Sequence, residues 1–190
     1  ATIAIFLTMG VILLGAYTRL TDAGLGCPDW PGCYGFLKVP HQEHHIAAAE
    51  QAFPDRPLVH HKAWNEMVHR YFAGSLGLLI AAIFFSSMFS RQSSKAVPTV
   101  LLLLVVFQAA LGMWTVTLNL LPLVVMGHLL GGFSLLSLLA VYWLKLHPDY
   151  RVQEPQLVSL KPFAVLAILV LVSQIARGGW TAANYAALAC

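Results

Sequence analysis

Residues 64–89 read WNEMVHRYFAGSLGLLIAAIFFSSMF, and the nineteen residues 71–89 carry no charge at all. A helix at the surface of a soluble protein keeps a polar stripe, whereas this run is apolar on every side. About 20 mostly apolar residues suffice to cross the hydrocarbon core of a bilayer. The segment therefore predicts a transmembrane helix. It carries three ionisable side chains, Glu66, His69 and Arg70, near one of its ends.

Outward from it lie four more stretches of the same kind: 1–18, 97–118, 121–144, and 162–176 running on towards Trp180. Apolar residues make up 58% of 190 positions and charged ones only 10%, with a mean hydropathy of +0.73. Soluble domains carry about 25% charged residues, so the composition calls for lipid as solvent. The fold class expected is an all-α integral membrane protein. A net charge of +3 gives no reason to expect nucleic acid as a partner. The first stretch does not read as a secretory signal, since no basic segment precedes it and no A-x-A-like site follows.

The connections are unequal. Residues 20–63 form a long polar loop, the links near 91–96 and 118–121 are short, and 145–161 is intermediate. Short links predict that spans two to five are antiparallel neighbours in a compact bundle. Arg91, Lys95, Lys145, Arg151 and Lys161 put the short links on the cytoplasmic side. The long loop mixes Lys38, Arg56 and Lys62 with Asp22, Asp29, Glu43, Glu50 and Asp55. Its pair Cys27 and Cys33 suits an oxidising compartment outside the membrane.

GAYTRLTDAGLGC at 15–27 aligns without gaps to GGWTAANYAALAC at 178–190, with five identities in thirteen positions. Both copies lie where an apolar helix leaves the membrane. The match predicts a duplicated four-helix unit: 1–161 as the first unit, with its outer loop 20–63, and 162–190 as the start of a second. Four helices separate the copies, so the units are parallel rather than inverted. On this reading the chain is a fragment of a longer protein.

His41, His44, His45, His60 and His61 fall in the polar loop, where solvated side chains are the default, and no ligand spacing there predicts a metal site. His147 lies at a helix end. His69 and His128 differ, because each lies inside an apolar span, where ionisable groups usually face the bundle interior and have a partner. A hydrogen bond to a neighbouring helix is one such partner. Both spans run inward from the loop side, and at about 1.5 Å per residue both histidines stand roughly 8–10 Å below that edge. Two imidazoles at one depth on parallel helices can clasp one haem iron. Gly74 and Gly77 near His69, and Gly127, Gly131 and Gly132 near His128, would let a macrocycle or another helix approach.

Glu66 shares a helix face with His69. It suits proton handling, or equally a bond to the loop at headgroup level. Arg70 and Arg19 could fork onto haem propionates or snorkel to phosphates. The ring from Cys27 to Cys33 holds two prolines and a glycine, so a disulfide is geometrically reasonable. Closing so small a ring gains little entropy, which leaves a structural staple, a redox-active pair and a fold-directing pair all open.

Together, GAYTRLTDAGL from Gly15, CPDWPGC from Cys27, EMVHR from Glu66, GHL from Gly127 and the closing GGWTAANYAALAC resemble the haem A synthase family. That resemblance covers essentially the whole chain, as the N-terminal half plus one helix of an eight-helix, two-unit membrane protein. It implies oxidation of a ring methyl of haem O to a formyl group with dioxygen, giving haem A for terminal oxidases. By resemblance, Glu66 is the essential glutamate, His69 and His128 ligate haem O in this unit, Cys27 and Cys33 are the loop cysteine pair, and a haem b cofactor belongs to the second unit. The partners implied are the haem O substrate, the lipid bilayer, haem O synthase and cytochrome oxidase assembly, with a homo-oligomer left open and a bacterial plasma membrane as the location. Two axial imidazoles leave no open iron position for dioxygen. Either one histidine lets go, or the methyl is oxidised by another route. The rival class is a cytochrome b-type electron-transfer subunit, which shares the histidine pair but has no use for Glu66. A transporter or assembly module without haem is a third.

Overall fold

Each apolar run closes its own backbone hydrogen bonds as a helix, the only open-ended way to satisfy peptide groups in hydrocarbon. The computed structural model describes residues 1–90, 95–150 and 160–185. Within them lie α1 (Thr2–Leu20), α2 (Glu43–Ala52), α3 (His60–Phe89), α4 (Ala96–Thr117), α5 (Pro122–Leu146), a 3-10 turn (Pro148–Tyr150) and α6 (Lys161–Ala183). All but α2 and the turn are long and apolar enough to cross a membrane, so this is a multi-pass membrane protein. Serine and threonine hydroxyls inside the spans donate to carbonyls one turn back, as Thr8 does to Ala4 at 2.6 Å and Ser134 to Leu130 at 2.8 Å. These hydroxyls are therefore satisfied within their own helix.

Helices α1, α3, α4 and α5 close a four-membered ring: α1 packs on α3, α3 on α4, α4 on α5, and α5 back on α1. In that ring α3 and α5 occupy opposite corners. Helix α6 leans on α5. This corrects the bundle expected from short links, which comprised spans two to five. Loop length sets which helices are consecutive neighbours. It does not set which helix closes the ring, and the long 20–63 loop folds back so that α1 lies against α3. Arg91 and Arg151 lie outside the described residues, while Lys95, Lys145 and Lys161 stand at the ends of their helices remote from the long loop.

Two packed clusters bracket the interior. At the end remote from the loop, Ala4, Leu76, Ile80, Leu101, Leu135, Leu139 and Tyr142 interdigitate. At the loop end, Cys27, Cys33, Tyr34, Val39, Ala49, Ala63 and Met67 form a second cluster between the loop and the start of α3. Between the two, α3 and α5 present His69 and His128. Two local expectations change. The loop contains the helix α2, which bears His44 and His45, and α3 starts early enough that His60 and His61 are its first turn rather than loop.

Candidate functional site

The loop reaches the site through a disulfide ring. Cys27 and Cys33 are bonded, with Cα atoms 4.8 Å apart. Inside the ring the Asp29 carboxylate accepts the backbone N–H of Tyr34 at 2.6 Å and of Gly35 at 2.7 Å. Those residues take left-handed φ values of 55° and 80°, and the carboxylate holds the turn they make. Gly26 lets the ring lie flat on α3, because a Cβ there would stand 2.5 Å from the Lys62 carbonyl. The phenol of Tyr34 donates to the Pro57 carbonyl at 3.1 Å, and burial pushes its pKa up. Lys62 bonds Asp22 at 2.9 Å and holds that exposed carboxyl below its ordinary value.

Glu66 and Arg70 clamp this ring to α3. Glu66 is only 5% exposed. One of its carboxylate oxygens accepts the Cys27 N–H at 2.9 Å, and the other accepts Arg70 Nη2 at 2.5 Å. Arg70 Nη1 donates to the carbonyls of Asp29, at 2.9 Å, and of Gly32. The bond to the loop that the sequence allowed Glu66 is present in this geometry. The guanidinium of Arg70 is likewise engaged by loop and carboxylate. Arg19, at the end of α1, donates through Nη2 to the Ala182 carbonyl and lies 3.9 Å over the Tyr185 ring, while its buried Nη1 has no hydrogen-bond partner. Tyr185 in turn bonds Asp22 at 3.3 Å. The two copies of the repeated motif thus meet at the loop end of α1 and α6. Residues 186–190, which complete the second copy, lie outside the described residues.

One step along α3 from the clamp, the His69 ring turns into the bundle and meets His128 from α5. Their centroids are 6.4 Å apart and the planes cross at 85°. An imidazole–metal bond is about 2 Å, and a ring nitrogen lies roughly 1 Å from its centroid. Two imidazoles on opposite sides of one metal therefore have centroids about 6 Å apart. The Nδ1 atoms of both rings are buried and have no hydrogen-bond partner, while each ring also faces a backbone carbonyl of a neighbouring helix, His69 that of Val11 on α1 and His128 that of Gln108 on α4. Among the described residues no three His, Cys, Asp or Glu side chains gather as a metal site. An ion held here needs its remaining ligands from a group that brings its own, as a porphyrin does. The residues present fit a haem.

Of the glycines expected to make room, Gly74 and Gly77 have nothing near the position of a Cβ, whereas Gly127, Gly131 and Gly132 admit neighbouring helices through Leu111, Gln108 and Ile12. The rings rest instead on glycines of the other two helices. A Cβ at Gly15 of α1 would be 3.0 Å from His69 Cε1, and one at Gly112 of α4 would be 3.4 Å from His128 Cε1. Sequence reasoning also passed over Gln108, although an amide in an otherwise apolar span is a signal in itself.

Comparison with known proteins bears on this arrangement. The family model described as cytochrome oxidase assembly protein, COX15-CtaA, matches residues 1–190. The chain belongs to the COX15-CtaA family. A haem A synthase from Shewanella oneidensis is 53% identical over 189 residues, covering 99% of this chain and 57% of that protein. Another from Granulibacter bethesdensis is 28% identical, covering 96% of the chain and 54% of its own length. The chain thus spans little more than half the length of these COX15-CtaA relatives. No solved structure matches it.

Proposed function

We propose that this chain is the haem O-binding part of a haem A synthase, in which a ring methyl of haem O is oxidised to a formyl group. The observation that carries the reading is the 6.4 Å approach of His69 and His128 from opposite corners of the bundle, each with a buried unpaired nitrogen. The names of the two relatives support the reaction. Each of its two oxidation steps would consume one dioxygen, two protons and two electrons from a donor outside this chain and release one water, and the hydrated product would lose water to become the aldehyde.

In this reading His69 and His128 hold the haem O iron. Arg19, with its unpaired Nη1, takes a propionate at the loop end, where charge can be solvated. Arg70 keeps the Glu66 carboxylate in place, and Glu66 moves protons for the oxidation. The disulfide ring covers the end of α3 beside them. Residues 1–161 form one unit and 162–190 begin a second, whose own residues would hold a haem b cofactor. The loop 20–63 faces the extracytoplasmic side of a bacterial plasma membrane, in keeping with two bacterial relatives and with a disulfide in that loop. Haem O synthase and the cytochrome oxidase assembly machinery would be its neighbours, and self-association is compatible with the exposed apolar face of α6.

Expression of the full-length protein in cells supplied with haem O tests the reading through pigment extraction. Wild type should yield haem A. Glu66→Gln should keep its haem absorption and yield none. Full haem A production by that variant would remove Glu66 from the reaction, a wild type with a Soret band but no haem A would favour a cytochrome b-type electron-transfer role, and absence of any Soret band in the wild type would remove the haem altogether.

A further inference from the structure

Gln108 interrupts the run VLLLLVVFQAALGMW at 100–114 in the middle of α4. It is 7% exposed, and its Nε2 is buried without a hydrogen-bond partner. Its place is built: the amide lies in a notch at Gly131, where a Cβ would overlap it. Gly131 follows His128 by three residues on α5, and Gly112, on which the His128 ring rests, follows Gln108 by four on α4. The amide therefore stands one helical turn beyond the histidine pair, on the side away from the loop, its charges and water.

An unpaired amide in a hydrocarbon interior is destabilising, so the position calls for a polar group brought by the bound molecule. Ionised propionates cannot be that group, since they belong at the loop end near Arg19 and solvent. The opposite edge of protohaem carries hydrocarbon substituents alone. Haem O differs there by a hydroxyl at the root of its isoprenoid chain. A hydroxyl both donates and accepts, as does a carboxamide. Resting on the haem O reading above, we propose that Gln108 is a specificity-determining residue that hydrogen-bonds this hydroxyl and makes the site prefer haem O to protohaem. Gly131 serves it by leaving the amide room between α4 and α5.

The test is a pair of titrations of full-length, haem-depleted protein in detergent, with the haem-ligating residues of the second unit substituted so that only the site of this unit takes up haem, using haem O and protohaem, each followed by growth of the Soret band. Wild type, Gln108→Leu and the near-isosteric Gln108→Met are compared. Loss of one buried hydrogen bond predicts haem O affinity lower by about five- to tenfold in both variants. Protohaem affinity should stay level or rise slightly, because an unpaired amide has been removed. That retained protohaem binding also reports an intact fold. A loss of equal size for both haems, or a change below about twofold for haem O, overturns the role of Gln108 while leaving the haem reading in place. Failure of the wild type to bind either haem overturns that reading, and this proposal with it.

Discussion

A Cβ on Gly15 would crowd His69 at 3.0 Å, one on Gly112 would only touch His128 at 3.4 Å, and one on Gly10 would meet nothing. Three alanine substitutions in transmembrane helices thus separate ring positioning from helix propensity. Gly15→Ala should displace the His69 ring and weaken haem binding by about fivefold, at the mild end of overpacking. Gly112→Ala should change it less than twofold, and Gly10→Ala should leave binding alone while slightly raising thermal stability. Soret titrations rank the three, and equal affinities for the Gly15 and Gly10 variants would detach His69 from its glycine. Tyr34 makes a second prediction at this scale. Its phenol is neutral and buried when the loop is docked, with a pKa above the ordinary value near 10. An undocked loop ionises first, so docking is constant below about pH 10 and weakens as pH rises above it. Proteolysis of the loop between pH 9 and 11 should accelerate in wild type. In Tyr34→Phe it should start faster, for want of the bond to Pro57, but lose that alkaline component. The histidine pair was legible in the sequence because an ionisable residue in an apolar span is conspicuous. Gly15 and Gly112 were not, because what each glycine faces depends on a partner helix that sequence spacing does not name.

At the scale of the element, α3 joins loop to site: Gly26 and Cys27 lie on its first turns, Glu66 and Arg70 hold the ring, and His69 sits between those two side chains in sequence. The Glu66–Arg70 pair is nearly dry, with side chains 6% and 11% exposed. Removing one partner of such a pair leaves an uncompensated charge and is destabilising by about 3–5 kcal/mol. Arg70→Met should therefore undock the disulfide ring and speed reduction of Cys27–Cys33 by a soluble phosphine at least tenfold. Gly26→Ala should do the same by steric means, through the Lys62 carbonyl. Reduction rates matching wild type in both variants would show that the ring stays docked without the clamp. The apolar spans were legible to within a few residues because hydropathy alone dictates them. Helix α2 was missed: its ten residues, EHHIAAAEQA, are short and polar, so their order comes from packing Ala49 into the loop cluster. No periodicity announces that. The clamp was half legible, since Glu66 and Arg70 stood out while the carbonyls they serve belong to a loop whose path the sequence leaves open.

For the molecule as a whole, the side to which the loop end points decides where charge, cofactor edge and disulfide must be. Outward faces of the spans are apolar and exposed, as at Phe6, Leu78, Leu103 and Leu169, which is the surface a lipid solvent requires. Charged side chains collect at the two ends: Lys62, Asp22, Arg19 and Arg70 with the loop, and Lys95, Lys145 and Lys161 at the other. In the second group's links basic residues outnumber the two acidic ones, Asp149 and Glu154, and the links are short enough for that excess to count, the pattern of a cytoplasmic face. A disulfide in the loop asks for the same orientation, since reducing compartments keep such pairs open. The two arguments are independent, one resting on insertion energetics and the other on redox chemistry, so a single topology experiment tests both. In a Cys190→Ser background, Leu37→Cys places a thiol on a side chain 79% exposed in the loop, and Lys95→Cys places one at the opposite end. A membrane-impermeant maleimide added to intact cells should label the first and spare the second until the membrane is opened. The reverse pattern would put the disulfide in a reducing compartment, and would then move the His69–His128 pair and the haem site proposed there, within about 10 Å of the loop end, to the inner leaflet.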